Sequence, residues 1–179
     1  MVDASKLKKI VIIGNAGSGK TTLARKLGRL MNLPVTHVDS IQFLSGMQIR
    51  PHRESIQMLT EIQNRDDWII EGYGPLDMIE KRFQAADKII YIDFPIARHY
   101  WWCAKRQLKN AFSQREELPE GCNEFTWAQT KKLYRSIGQE YKKMRPELLR
   151  ILERKHAGKV LFIRTYSEYK QLSLTGLQS

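Results

Sequence analysis

The chain has 179 residues, a formal net charge of +11, 42% hydrophobic residues and 27% charged ones. That balance describes a single globular domain, 1–179, with room for a sizeable core, and excludes a disordered or collagen-like polymer. No apolar run approaches the roughly 20 residues that span a bilayer, and Cys103 and Cys122 have neither metal-ligand spacing nor the density of a disulfide scaffold, so a cytoplasmic setting away from membranes is expected, with no secretory signal in the opening MVDASKLKKIVIIG.

Short β-branched runs alternate with longer amphipathic stretches along the whole chain. Leu7–Ile13 reads as a first strand and Thr21–Met31 as a helix. Pro34–Val38 is a short second strand, followed by a helix over Arg53–Gln63. Trp68–Glu71 (WIIE) is the third strand, Leu76–Ala85 a helix, and Lys88–Asp93 (KIIYID) the fourth strand. A long helix starts near Pro95, whose fixed φ suits a first helical turn. Val160–Arg164 (VLFIR) is the fifth strand, with a last helix after Ser167. Strands that are apolar throughout, rather than alternating, belong to a parallel sheet covered on both faces, and their alternation with helices makes the fold α/β. Ser40–His52 and Asn110–Asn123 show no clear period. Long aperiodic stretches in compact domains commonly serve as lids or binding loops.

Residues 14–21 read GNAGSGKT and fit G-x-x-x-x-G-K-[ST]. A loop that wraps phosphates turns successive backbone N–H groups inward, and Gly14, Gly17 and Gly19 clear the side chains that would obstruct this. The helix that follows presents its positive end to the same anion. Backbone and side chains of Gly14, Asn15, Ala16, Gly17, Ser18, Gly19, Lys20, Thr21 and Thr22 therefore form the expected ATP cradle, with Lys20 reaching the β- and γ-phosphates and Thr21 offering its hydroxyl to Mg²⁺. Three carboxylates end strands at the ligand-binding edge of such a sheet: Asp39, Glu71 and Asp93. Any of them could serve the metal, and the sequence alone does not choose.

WIIEGYG at 68–74 and IIYIDFP at 89–95, in that order after a phosphate-binding loop, resemble the adenylate-kinase-like P-loop kinases. LPVTHVD at 33–39, WIIEG at 68–72, IDFP at 92–95 and GCNEF at 121–125 bring the chain closest to the bacterial DNA topology modulation protein group within that fold. The resemblance implies a five-stranded parallel sheet in the order 2-3-1-4-5, flanked by helices, with an acceptor-binding region over 40–65 and a helical lid over 106–124. It also implies roles. Arg106, thirteen residues after Asp93, matches the arginine that serves the lid hinge and the transferring phosphate in adenylate kinases. Trp102, nine after Asp93, stands where those enzymes carry an adenine-stacking arginine. Glu71 replaces their usual aspartate, and Arg115 falls in the lid.

A kinase must also hold its acceptor. Asp39 leaves the second strand, a region from which related shikimate kinases present an aspartate to a substrate hydroxyl and magnesium; it could orient a hydroxyl or act as base. Arg53 could pin an anionic acceptor, and Lys131 and Arg135 follow the lid. The expected function is therefore transfer of the ATP γ-phosphate to a nucleotide or another small hydroxyl or phosphate acceptor, with ATP and Mg²⁺ as cofactors and Lys20, Arg106, Asp39 and Arg115 as the catalytic set, while Thr21, Glu71 and Asp39 are the metal candidates. Residues 98–155 hold 14 Lys/Arg against 7 Asp/Glu. A nucleic-acid-associated ATPase or a nucleotide-dependent switch thus remains the alternative, although no helix-turn-helix, zinc module or single-strand-binding motif is present.

Overall fold

In the computed structural model, residues 7–110 and 127–177 are described. The central strand β1 (Lys9–Gly14) leads through the glycine loop into α1 (Lys20–Met31). Then come β2 (Val35–His37), a short helix α2 (Val38–Gln42), the strands β3 (Phe43–Leu44) and β4 (Gln48–Ile49), and α3 (His52–Gln63). β5 (Trp68–Glu71), α4 (Leu76–Ala85), β6 (Lys88–Ile92) and α5 (Ile96–Asn110) follow. The C-terminal part holds α6 (Trp127–Gln139), a π-helical turn (Glu140–Met144), α7 (Arg145–Lys155), β7 (Val160–Ile163) and α8 (Tyr166–Thr175).

The main sheet runs β2-β5-β1-β6-β7, all parallel. Setting aside the small hairpin β3-β4, this is the 2-3-1-4-5 order expected of the sequence. Register puts Ile12 beside Glu71 and Gly14 beside Ile92, so the glycine loop and the ends of β5 and β6 open on one edge. β1 is buried on both faces. Ile10 and Ile12 pack with Leu23, Leu27, Phe94 and Leu172 under α1 and α8. Val11 and Ile13 face the opposite way, into Leu59, Phe83, Tyr91 and Leu152 under α3, α4 and α7. This is period-two geometry with a core on each side. Leu27→Ala, at a site with 0% exposure, would cost about 2–5 kcal/mol through lost transfer energy and the cavity left behind.

Three local expectations are corrected. Val38 does not extend the second strand; it opens α2, and the aperiodic stretch after it folds into α2 and the β3-β4 hairpin, closed by Arg50 Nε donating to the Ile41 carbonyl at 2.7 Å. The last helix begins at Tyr166, before Ser167, because Thr165 caps it: its side chain accepts from the Glu168 amide while Glu168 reaches back to the Thr165 amide. The fifth strand ends at Ile163, one residue short of Arg164.

The long helix after residue 126 also departs from regularity for an identifiable reason. Pro146 has no N–H for the carbonyl four residues back, and its ring crowds that carbonyl. The turn before it widens, and the Arg145 amide bonds to the Glu140 carbonyl five residues back. In an α-helix residues 140 and 145 would point about 140° apart. The wider turn brings them nearer one face.

Candidate nucleotide and phosphate site

The loop from Gly14 to Thr21 folds tightly on itself: the Ser18 amide donates to the Asn15 carbonyl at 3.1 Å, and Lys20 Nζ donates to the same oxygen at 3.1 Å. Gly17 sits at φ 71°, and a Cβ there would lie 2.6 Å from Cys103 Sγ and 2.7 Å from the His99 carbonyl. The loop can therefore lie directly on α5 only because that position is glycine. The Asn15 side chain is engaged within the protein. Its Oδ1 accepts from the Ala16 amide at 2.7 Å and its Nδ2 donates to the Ile137 carbonyl on α6 at 2.9 Å, leaving its backbone as the part that can serve a phosphate. Thr22 points to solvent. His99 lies beneath, with Nδ1 3.1 Å from the Ala16 carbonyl and Nε2 3.2 Å from the Phe94 carbonyl; burial holds its pKa below the usual histidine value.

The three strand-end carboxylates have different fates. Glu71 Oε2 accepts from Thr21 Oγ1 at 3.2 Å and lies 2.9 Å from His37 Nδ1. Burial raises its pKa, but the His37 hydrogen bond, the charges of Lys20 and His37, and the Thr21 hydroxyl outweigh burial and hold it below the ordinary glutamate value. Asp93, with a side chain only 3% exposed, is gripped by the fork of Arg145, Nε to Oδ1 at 2.6 Å and Nη2 to Oδ2 at 2.8 Å. A carboxylate already neutralised in this bidentate way has little to offer a metal. Asp39 lies half-buried in the first turn of α2.

Trp102 is half-buried in an aromatic cluster. It meets Phe94 edge-on at 5.5 Å, Tyr166 at 5.8 Å and Tyr169 at 6.0 Å. Tyr169 in turn donates its hydroxyl to the Gly19 carbonyl at 3.0 Å, and a Cβ on Gly19 would lie 3.2 Å from the Trp102 ring. One helical turn before Trp102, the Arg98 guanidinium lies over Phe94, Trp102 and Tyr166, at 5.3, 5.8 and 5.5 Å from their ring centres. A guanidinium thus joins the Trp102 cluster from position 98.

Arg106 is half-buried on the face of α5 turned to α6, where its charge acts on Tyr134, itself stacked on Tyr100 at 5.5 Å. Lys131 and Arg135 are exposed on α6, and Arg53 is exposed on α3. Arg115, Cys122, the GCNEF segment and the part of the expected lid beyond residue 110 lie outside the described residues.

Motif reasoning did not reach Arg145, Glu140, Tyr73, His99 or the Asn15 tether. The one available signal for Arg145 was its place before Pro146, since an Arg-Pro step inside a helical pattern marks a break whose side chains leave the regular stripe.

No protein-family model matches the chain. Among solved structures, a shikimate kinase from Bacteroides thetaiotaomicron superposes with a TM-score of 0.54 and 14% identity, covering 94% of this chain and 95% of its own. The shikimate kinase from Acinetobacter baumannii in complex with shikimate gives 0.45 at 16% identity over 85% and 97% of the two chains. That from Aquifex aeolicus gives 0.41 at 18% over 78% and 98%. The chain has the P-loop NTPase fold: a five-stranded parallel sheet flanked by helices, with a glycine loop on its central strand.

Proposed function

We propose that this protein is an ATP-dependent kinase that transfers the γ-phosphate to a small acceptor bearing a hydroxyl or phosphate group. The carrying observation is the joining of Lys20, Thr21 and Glu71 at the open edge of the sheet, with the Thr21 hydroxyl bonded to a carboxylate held ionised. The glycine loop binds the phosphates through backbone N–H groups, and Lys20 leaves the Asn15 carbonyl for the β- and γ-phosphates. Magnesium fits the oxygen donors of Thr21 and Glu71, with Asp39 as a further candidate, and when bound it neutralises charge on the β- and γ-oxygens. His37 orients Glu71. Asp39 orients the acceptor hydroxyl or takes its proton. Arg106 and Arg115 bring positive charge to the phosphoryl group in flight. Trp102, backed by Arg98, bears on the adenine.

Within a single domain, 40–65 serves the acceptor and 106–124 the lid. The finer grouping with bacterial DNA topology modulation proteins rests on the shared motifs; two of them, LPVTHVD and WIIEG, supply the His37–Glu71 pair. The test is a screen of radiolabelled ATP against nucleoside monophosphates, nucleosides, sugars and shikimate. Transfer to one of these, lost in Lys20→Ala, is the expected result. ATP hydrolysis that is stimulated only by DNA, and fades steeply with salt, would replace the kinase reading by the nucleic-acid one.

A further inference from the structure

One half-buried acid of the site has no part in the reaction outlined above. Glu140 opens the π-helical turn, and the Tyr73 hydroxyl, two residues beyond Glu71, donates to its carboxylate. Its Oε1 is buried with no hydrogen-bond partner among the described residues. The charged and titratable groups that bear on it are Lys20 from the glycine loop, Tyr73 from the exit of β5 and Tyr91 from β6; Asp93 acts on both tyrosines, and Arg145 and Tyr141 act on Tyr91. Arg145 is committed to Asp93, and Lys20 is the cation whose field Glu140 feels. Burial nevertheless lifts the Glu140 pKa above the ordinary value, against the pull of Lys20 and Tyr73.

The terminal phosphate of a bound triphosphate belongs beside Lys20, and so near Glu140. A diphosphate brings no such group. Two anions sharing one lysine inside a protein repel by an amount that water would not screen away. Nor can the helix simply retreat, since the Asn15 amide holds the Ile137 carbonyl at 2.9 Å, one turn before Glu140. We propose that Glu140 and Tyr73 together sense the γ-phosphate: the carboxylate rests between Lys20 and Tyr73 when the terminal phosphate is absent, and its arrival drives the carboxylate off, freeing the Tyr73 hydroxyl on the acceptor side. The sensor makes Glu140 the residue that sets the preference between tri- and diphosphate, and it makes acceptor-side rearrangement follow triphosphate binding. It rests on the nucleotide reading of the glycine loop and on no particular acceptor.

The test is calorimetric titration of the whole protein at pH 8 with magnesium and either the β,γ-imido analogue of ATP or ADP. Glu140→Gln should tighten the triphosphate analogue about tenfold and change ADP by less than about twofold. Tyr73→Phe, which unhooks the carboxylate, should shift the ratio the same way by a smaller factor. Tyr73→Phe carries the test should Glu140→Gln fail to fold. Equal effects on both nucleotides, or a ratio unmoved by either variant, would overturn the sensor while leaving the kinase reading standing. A wild-type protein that binds neither nucleotide would overturn the reading of the glycine loop itself, and the sensor with it.

Discussion

Glu71, buried at the end of a strand, and Glu140, half-buried in a distorted helix, are both acids in the field of Lys20. Burial disfavours ionisation at each. At Glu71 two donors, Thr21 and His37, converge on one oxygen, and the pKa falls below the ordinary value; at Glu140 the tyrosine donor leaves one oxygen without a partner among the described residues, and the pKa rises. What separates them is the number of hydrogen bonds to the charged form together with the charge of His37 beside Glu71, since the same lysine pulls on both. A carboxylate whose charge is favoured suits a permanent cation site, whereas one whose charge is disfavoured suits a group that responds to a ligand.

The comparison can be broken most severely by removing the shared cation. Lys20→Ala should reduce phosphoryl transfer about a thousandfold, with a thermal melt close to wild type, because Lys20 is half-buried beside the loop and outside both cores. Full activity in the folded variant would sink the kinase proposal. Next, Glu71→Gln keeps the shape and removes the charge. It should cut turnover about a hundredfold, on the scale of a lost catalytic contact, and shift the magnesium dependence of turnover to higher concentration. An unchanged magnesium titration would assign the metal to Asp39.

A third carboxylate extends the contrast. Asp93 is gripped at both oxygens by one guanidinium, so Asp93→Asn should act on stability, by about 2 kcal/mol in urea denaturation, the range of a charged hydrogen bond. Its magnesium titration should match wild type; a shifted one would mean that Arg145 releases Asp93 to the metal. The smallest effect is on stability against pH. A lowered Glu71 pKa contributes stability that is present above the unfolded-state value near 4.5 and lost as the pH falls through the folded value. Glu140, with a raised pKa, acts in reverse: stability declines as the pH climbs from 4.5 through its folded value. Each slope is at most about 1.4 kcal/mol per pH unit. Denaturant midpoints from pH 3.5 to 7.5 should flatten on the acid side in Glu71→Gln and on the neutral side in Glu140→Gln. Matching profiles in both variants would erase the distinction drawn here.

The sheet was legible because β1, β5 and β6 are apolar on both faces and need no tertiary context to be recognised. The glycine loop was legible because a phosphate cradle demands particular residue types at particular spacings. Glu71 and Asp93, by contrast, look alike in sequence as carboxylates at strand ends, and only the arrival of Arg145 from 52 residues away tells them apart. Glu140 was hidden by the regular helical period, which places it on a different face from Arg145 until Pro146 widens the turn. The stretch from 40 to 52 was unreadable because its elements are two to five residues long, too short for any periodicity to register.

The hydrogen bond from the Tyr169 hydroxyl to the Gly19 carbonyl spans 150 residues of chain. It ties the start of α1, among the first parts of the fold to leave the ribosome, to a helix among the last. The glycine loop therefore lacks its rear support until α8 has been synthesised and docked, and the aromatic cluster around Trp102 lacks Tyr166 and Tyr169 until then. A growing chain released early, or one clipped before Tyr166, would carry an intact glycine motif in a loop that has lost one of its supports. A far contact of this kind, which forms only after a long loop has closed, places completion of the surroundings of the glycine loop late in folding.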